Sequence, residues 1–358
     1  PVLLTGPALS LESYFYTRQD KYSRIDVPSG KSATVKIIRW GGKKQSLFSP
    51  ALIKKIKSTI DSNKSVLIFH NRRGYSYTAL CATCGYVPLC SDCNDALKFF
   101  LDPPRLFCRR CFRETSPPDV CPECGSHNFL YPGVGIQKVA REAEELFPGI
   151  EVIRLDGNTG KKIDLDNPAI LVGTRAVMSR VDWGKIGLCA VPSAGIHFGL
   201  EDFRASEKIL QLLFRLRSYL PSESLMFIQV FNPDESAWKA LKNDDPGIFY
   251  EEELSSRADA SYPPFSHLVN LVVWISGENK ESMAYSFWET FHNQGKKETW
   301  DAVGYFPLSV SGLGHRFLFI FRGKKVQEIT SYLRNYLGKV GGKHGLLYKI
   351  DVDPVRFI

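Results

Sequence analysis

Eight of the nine cysteines fall between Cys81 and Cys124 as four Cys-x-x-Cys pairs: Cys81/Cys84, Cys90/Cys93, Cys108/Cys111 and Cys121/Cys124. One pair offers two thiolates, and two pairs complete a tetrahedral four-thiolate zinc site. Eight such ligands make two closed sites with none left over. A closed site keeps no position for water, so the chemistry it predicts is structural, not hydrolytic. The alternative is a disulfide framework, which is disfavoured because the array interrupts what reads as an intracellular α/β domain. Pro103, Pro104, Pro117, Pro118 and Pro122 oppose regular helix through this stretch. Metal binding and folding are therefore expected to be one event. Gly85 and Gly125 each follow the second cysteine of a pair, where a tight turn around a metal favours positive φ.

The flanking elements must hold this array. Val2–Leu4 reads as a short strand, 10–17 as a helix and 33–38 as a strand. Ser49 is a good N-cap with Pro50 at the first helical position, and Leu52, Ile56 and Ile60 recur at i+4. The apolar run Val66–Phe69 then reads as a buried parallel strand, with Asn71-Arg72-Arg73-Gly74-Tyr75 at its carboxyl end, where open α/β sheets place ligands. The cysteine segment leaves and returns between Thr78 and Leu130. After it come a helix over 136–146, strands over 151–155, 169–172 and 186–191, a helix over 204–220 and a strand over 225–231. That alternation predicts a parallel, doubly wound sheet with the cysteine segment inserted in its first crossover. Beyond Tyr262-Pro263-Pro264 the pattern changes to strand (268–275), helix (280–292), strand (303–310), strand (315–321), helix (326–337) and strand (346–352). This is the ferredoxin-like βαββαβ order.

At 358 residues the chain should divide into two or three domains, and no apolar run is long enough to span a membrane. The formal charge is +8. Eight thiolates on two Zn²⁺ would lower it by four, to about +4. Such an excess is compatible with a nucleic-acid partner without requiring one. The chain opens at Pro1 and reads as a fragment, or as a product missing its natural start.

These residues resemble one family, the primosomal replication-restart DNA helicase PriA. The resemblance rests on Ser10-Leu11-Glu12-Ser13-Tyr14, on Phe69-His70-Asn71-Arg72-Arg73-Gly74-Tyr75 and on all eight cysteines at the family's spacing. It continues through Leu146-Phe147-Pro148-Gly149, Arg154-Leu155-Asp156, Gly173-Thr174, Asp202–Glu207, Tyr262-Pro263-Pro264-Phe265 and Asp351-Val352-Asp353-Pro354. It implies an α/β fold: a RecA-like helicase second lobe with an inserted two-zinc segment, followed by a ferredoxin-like carboxyl domain. The implied boundaries are 1–48 for the end of the first lobe and a linker, 49–77 with 131–254 for the second lobe, 78–130 for the zinc insertion and 255–358 for the carboxyl domain. The family's zinc sites are interleaved. Carried over, Cys81, Cys84, Cys121 and Cys124 would hold one zinc, and Cys90, Cys93, Cys108 and Cys111 the other. The resemblance further implies a cytoplasmic, nucleoid-associated bacterial protein. Its implied partners are forked or branched DNA with single/double-strand junctions, primosome proteins and single-stranded-DNA-binding protein, with no membrane.

The motor chemistry of that family departs here. ATP-driven helicases need a phosphate-cradling loop with Lys, an acidic Mg²⁺ motif and arginines reaching the γ-phosphate. The only Gly-Lys-Ser is Gly30-Lys31-Ser32, and Ile25 stands where Walker A wants glycine. The family's Ser-Ala-Thr reads Gly6-Pro7-Ala8, its Lys-Gly pair falls in Met178-Ser179-Arg180, and its acidic pair is replaced by Pro192-Ser193-Ala194-Gly195. Its Gln-Val-Ala-Gly-Arg-Ala-Gly-Arg reads Arg215–Ser222, with Tyr219 and Ser222 at the two arginine positions. The expectation is a DNA-binding restart factor without its own unwinding, with no catalytic residues and no ATP or Mg²⁺ as cofactor. Two other readings compete: an active 3′-to-5′ helicase once a missing amino-terminal lobe is included, and a purely structural or decayed zinc protein.

Candidate nucleic-acid contacts are Asn71, Arg72 and Arg73, whose guanidinium forks suit phosphate oxygens, together with Gly173 and Thr174. Arg105, Arg109 and Arg110 stud the zinc segment, but acidic neighbours make a solvated mixed-charge surface an equal alternative. His127 reads as a surface residue, Cys189 as a buried thiol, and Tyr285, Phe287, Trp288 and Phe291 as core.

Overall fold

The computed structural model describes residues 3–27, 30, 32–40, 46–70, 79–81, 83–91, 97–101, 104–107, 114–130, 136–155, 163–192, 203–230, 232–276, 279–295, 299–307, 315–344 and 347–354. The chain divides into two compact units, Pro1–Ser10 with Asp20–Tyr250, and Leu11–Gln19 with Glu251–Ile358.

The first unit is built on strands β1 (Thr34–Arg39), β2 (Ser65–Phe69), β8 (Val152–Leu155), β9 (Ile170–Gly173), β10 (Ile186–Val191) and β11 (Leu225–Val230). They form one six-stranded sheet in the order β1-β11-β10-β2-β9-β8, with parallel pairing at every joint. Every residue of β2 and β9 is buried, the signature of a strand covered on both faces. One face carries Val66, Ile68, Ile170, Val172, Leu188, Ala190 and Phe227 against helices α2 (Pro50–Asp61) and α3 (Ile136–Leu146). Residues of opposite parity, Leu67, Leu171, Cys189 and Met226, are equally buried and make the second face. The doubly wound parallel sheet predicted from the alternation is the sheet observed. β1 is one of its edge strands, so 34–39 shares the sheet with the segments assigned by resemblance to the second lobe.

Helix α2 starts where its sequence dictates. Ser49 is fully buried, its side chain accepts from the Leu52 N–H, and Pro50 fills N1. Leu52 and Ile56 are fully buried one turn apart, each stabilising the unit by about 1.5–3 kcal/mol relative to exposure. In α3, Ile136, Val139, Ala140 and Ala143 keep the 3.6-residue rhythm, and Gly149 at φ 84° ends the run. Helices α4 (Ala205–Tyr219) and α5 (Ser236–Asn243) pack on each other, and α5 packs against β1.

Among its described residues the cysteine segment contributes short strands: β3 (Leu80–Cys81) with β7 (Phe129–Leu130), and a meander of β4 (Lys98–Leu101), β5 (Pro104–Phe107) and β6 (Glu114–Thr115). Its apolar centre is small: Ala79, Cys90, Leu97, Phe99 and Leu106.

The second unit contains α1 (Leu11–Arg18), most of α6 (Gly247–Asp259), β12 (His267–Ile275), α7 (Lys280–Gly295), β13 (Trp300–Pro307), β14 (His315–Gly323), α8 (Val326–His344) and β15 (Leu347–Val352). From β12 onward the order is βαββαβ, and the antiparallel sheet runs β13-β14-β12-β15. Numbered within the unit, that is 4-1-3-2 read from the other edge, the ferredoxin-like arrangement. Arg257 of α6 is buried, pairing with Glu253 one turn back, with Glu12 of α1 and with the Pro263 carbonyl.

Three expectations need correction. Leu3 and Leu4 form no strand and are 79% and 63% exposed, for none of the described strands offers them a ladder. α5 and α6 arise in 232–259, where no element was expected. Tyr285 is half exposed while Phe287 and Phe291 enter the core, because the i+2 step from 285 turns it off the buried face of α7.

Candidate metal centre

β3 and β7 pair antiparallel with Cys81 opposite Phe129. That pairing brings the two ends of the cysteine segment side by side, and with them Cys81, Cys84, Cys121 and Cys124. All four Sγ atoms lie within 4.8 Å of one another. The two ends fold alike. In one the Gly85 N–H donates to the Cys81 carbonyl and the Cys81 N–H to the Tyr86 carbonyl; in the other Gly125 and Cys121 repeat this with Ser126. Gly85 and Gly125 have φ of 81° and 69°, the left-handed turn that glycine takes without a Cβ penalty. The first cysteine of each pair is buried and the second exposed. Thr83 Oγ1 donates to Ser126 Oγ at 2.8 Å and ties one turn to the other, a cross-brace that nothing in the spacing of the cysteines announces.

The sulfur separations discriminate between bonding modes. Cys81 and Cys124 Sγ are 3.6 Å apart, as are Cys84 and Cys121 Sγ. A disulfide needs about 2.05 Å, whereas four sulfurs about 2.3 Å from a tetrahedral zinc sit about 3.8 Å apart. The donor set and its geometry fit a four-thiolate zinc site. Electrostatics agree. Burial works against ionisation of Cys81, but the N–H groups of Cys84 and Thr83 aimed at its sulfur bring it down to about 7. Cys84 goes the other way, up to about 12, through burial first and then its three sulfur neighbours. Four thiolates cannot share this space without a cation, and a divalent ion supplies the compensating charge.

The remaining candidates are placed as follows. Cys90 is buried in the small apolar centre of the segment, while Cys93, Cys108 and Cys111 lie outside the described residues. Asn71, Arg72, Arg73, Arg109 and Arg110 also lie outside them; Arg105 is in β5, opposite Phe100. His127 is exposed and its Nδ1 meets the Asp119 carbonyl, away from the sulfurs. Cys189 is fully buried in β10, and burial pushes its thiol up to about 12.

Gly173 and Thr174 stand at the carboxyl end of β9. The Gly173 carbonyl accepts from the His70 N–H, and Thr174 precedes a 3-10 turn over Arg175–Ser179 without capping it through its side chain. Gly173 answers to packing. A Cβ there would lie 2.2 Å from Val177 Cγ1 and 3.0 Å from Leu155 Cβ, both on buried residues. Gly173→Ala is therefore expected to destabilise the first unit by about 1–3 kcal/mol, read as an earlier urea midpoint. An unchanged midpoint would mean the site has room that the geometry denies.

Tyr219 closes α4. It stacks on Trp183 with ring centroids 5.2 Å apart and planes 16° apart. At the exit of β10, the Pro192 carbonyl accepts from Gln229 Nε2, which also donates to the Leu47 carbonyl, while Gln229 Oε1 accepts from the Ser49 N–H. A buried glutamine thus ties α2 to the carboxyl ends of β10 and β11. Sequence reading missed it because one amide in the strand Leu225–Val230 carries no periodic signal.

No protein-family model matches the chain. Whole-chain similarity does. The replication restart protein PriA of Bacillus subtilis is 27% identical over 387 residues, covering 99% of this chain and 47% of that protein. PriA of Chlamydia pneumoniae is 29% identical over 392 residues, covering 99% and 51%. PriA of Chlamydia trachomatis is 30% identical over 299 residues, covering 76% and 39%.

The chain belongs to the PriA family.

It spans about half the length of the curated PriA relatives it matches. The resemblance first carried by the cysteine spacing therefore extends across the α/β sheet and the ferredoxin-like unit alike. No helix among the described residues is long and apolar enough to cross a membrane.

Proposed function

We propose that this PriA-family chain is a DNA-binding factor of replication restart that recognises forked or branched DNA and does not drive unwinding itself. The observation that carries the absence of a motor is Tyr219. It occupies a position where the family has an arginine, and its ring is committed to a stack on Trp183. An arginine reaching the γ-phosphate is worth several powers of ten in rate, and a phenol held against an indole cannot replace it. On this reading 49–77 and 131–254 are the remaining second lobe, 78–130 is a two-zinc insertion, 255–358 is the carboxyl domain, and 1–48 derives from the end of the first lobe and its linker. Asn71, Arg72, Arg73, Gly173, Thr174, Arg105, Arg109 and Arg110 are the phosphate contacts to test. Primosome proteins and single-stranded-DNA-binding protein are the proposed protein partners, in the bacterial cytoplasm. The basic excess, formally +8 and about +4 once eight thiolates hold two zinc ions, is compatible with a polyanionic partner.

The test uses the metal-loaded chain with forked and linear duplexes. Five arginine–phosphate contacts predict a fall in fork affinity of about five hundredfold between 50 and 200 mM salt, with no DNA-stimulated ATP hydrolysis. Robust DNA-stimulated turnover would overturn the non-motor reading. Absent or salt-independent binding would overturn the DNA reading.

A further inference from the structure

The antiparallel sheet of the second unit ends at β15, whose outer edge pairs with nothing among the described residues. The hydrogen-bond phase of that edge is fixed by its partner. The Asp353 N–H donates to the Leu268 carbonyl, directly opposite, so residues of this parity bond inward to β12. Asp351, Lys349 and Leu347 follow the same phase. Tyr348, Ile350 and Val352 therefore direct their N–H and C=O groups outward.

The side chains of those three residues share a face. They stand opposite Val273, Leu271 and Val269, which are fully buried. Cover fails at the edge, where Tyr348 is 39% and Val352 43% exposed. On the other face of the strand lie Lys349 and Asp351, both exposed. Charged residues commonly blunt such an edge against pairing. Here their order makes the strand complementary to itself.

We propose that β15 pairs antiparallel with β15 of a second copy of this chain, about a two-fold axis through Ile350. In this register Ile350 faces Ile350 of the second copy, and Tyr348 faces Val352. Each is a hydrogen-bonded pair formed by outward-pointing backbone groups. Lys349 then stands opposite Asp351 twice, in the non-hydrogen-bonded positions where side chains approach most closely. The two neighbouring two-fold registers are excluded by charge. Centring on 349 sets Lys349 against Lys349, and centring on 351 sets Asp351 against Asp351. Registers shifted by one residue set outward groups against inward ones and break the ladder. Of these three central registers, the isologous one through Ile350 is the one that sets unlike charges opposite each other.

Charge exchange tests it. Sedimentation of the full chain across a concentration series is expected to show a reversible monomer–dimer equilibrium. Lys349→Asp or Asp351→Lys alone puts like charges opposite each other at both symmetry-related positions, and each should weaken the dimer at least about tenfold. The Lys349→Asp/Asp351→Lys double variant restores both pairs and should recover affinity to within about threefold of the original. All substituted side chains are exposed, and unchanged circular dichroism will show that folding is kept. A wild-type chain that stays monomeric up to several hundred micromolar, or single and double variants that dimerise alike, would overturn the proposal. These outcomes are independent of whether the chain binds DNA.

Discussion

Chelating the metal from the full chain is expected to unfold residues 79–130 while the six-stranded sheet stays hydrogen-bonded. Among the described residues, the apolar centre of the segment contains three large side chains, Leu97, Phe99 and Leu106, with Ala79 and Cys90. So small a centre cannot offset the backbone entropy lost in ordering a loop-rich segment, and strands of two to four residues add little. Metal–thiolate bonds are the remaining source of stability, and in such sites metal binding and folding are one event. Amide hydrogen exchange after chelation should lose protection at Cys81, Gly85, Cys121 and Gly125, whose N–H groups are bonded in the two turns. β2, β9 and β10 should keep theirs. Metal analysis of the chain as isolated should find two zinc ions, and Cys121→Ser should find one. Cys121 is the informative choice because it is buried, so water cannot replace the lost ligand cheaply. Unaltered exchange at those four amides after complete metal removal would show that the segment folds on its own contacts.

What the sequence revealed and what it hid follow from the range of the interactions involved. The cysteine pairs were legible because zinc geometry demands two ligands per turn, and that local requirement is written in the spacing. β2 and β9 were legible because strands buried on both faces must be apolar throughout. α2 was legible from Ser49 and Pro50, whose preferences act within one turn. The Thr83–Ser126 bridge and the Gln229 ties were not, because each joins residues between 37 and 182 positions apart through single polar atoms. The pairing of Cys81 and Cys84 with Cys121 and Cys124 was carried by resemblance, since the spacing alone permits other combinations. α6 escaped notice because its mixed residues carry little periodic contrast, and α5 because its buried face of Ala237, Trp238, Ala240 and Leu241 spans only eight residues. Arg215 and Arg217 look alike in sequence, yet one is exposed and the other buried. Their phase on α4 separates them: Arg217 lies one turn beyond Leu213, on the face that Ile209, Leu213 and Leu216 bury.

That burial makes Arg217 a sensitive polar position in the first unit. Its side chain is 9% exposed. Nε donates to the Ala33 carbonyl at 2.9 Å, and Nη1 donates to the Leu241 carbonyl at 2.9 Å and meets Asp244 Oδ1 at 2.7 Å. One guanidinium thus joins α4 to the entrance of β1 and to the last turn of α5, where carbonyls have no helical partner. Burial draws its pKa below the ordinary arginine value and Asp244 opposes that, so the group stays charged throughout the working pH range. Removing the side chain strands two carbonyls, each costing about 1–3 kcal/mol, while the half-exposed Asp244 returns to water at little cost. Arg217→Met, which keeps the length and apolar stem, is therefore expected to lower stability by about 2–4 kcal/mol. Arg217→Lys should cost about half as much, because an ammonium keeps the charge but not the fork. The exposed Arg215→Ala should stay within about 0.5 kcal/mol of the parent, whereas Asp244→Ala should cost about 1–3 kcal/mol, because it takes the counter-ion from a buried guanidinium and puts alanine at φ 59°. Urea unfolding of the four variants measures the order directly. A neutral Arg217→Met would mean that water reaches both carbonyls, and the tie between α4, β1 and α5 would lose its energetic basis.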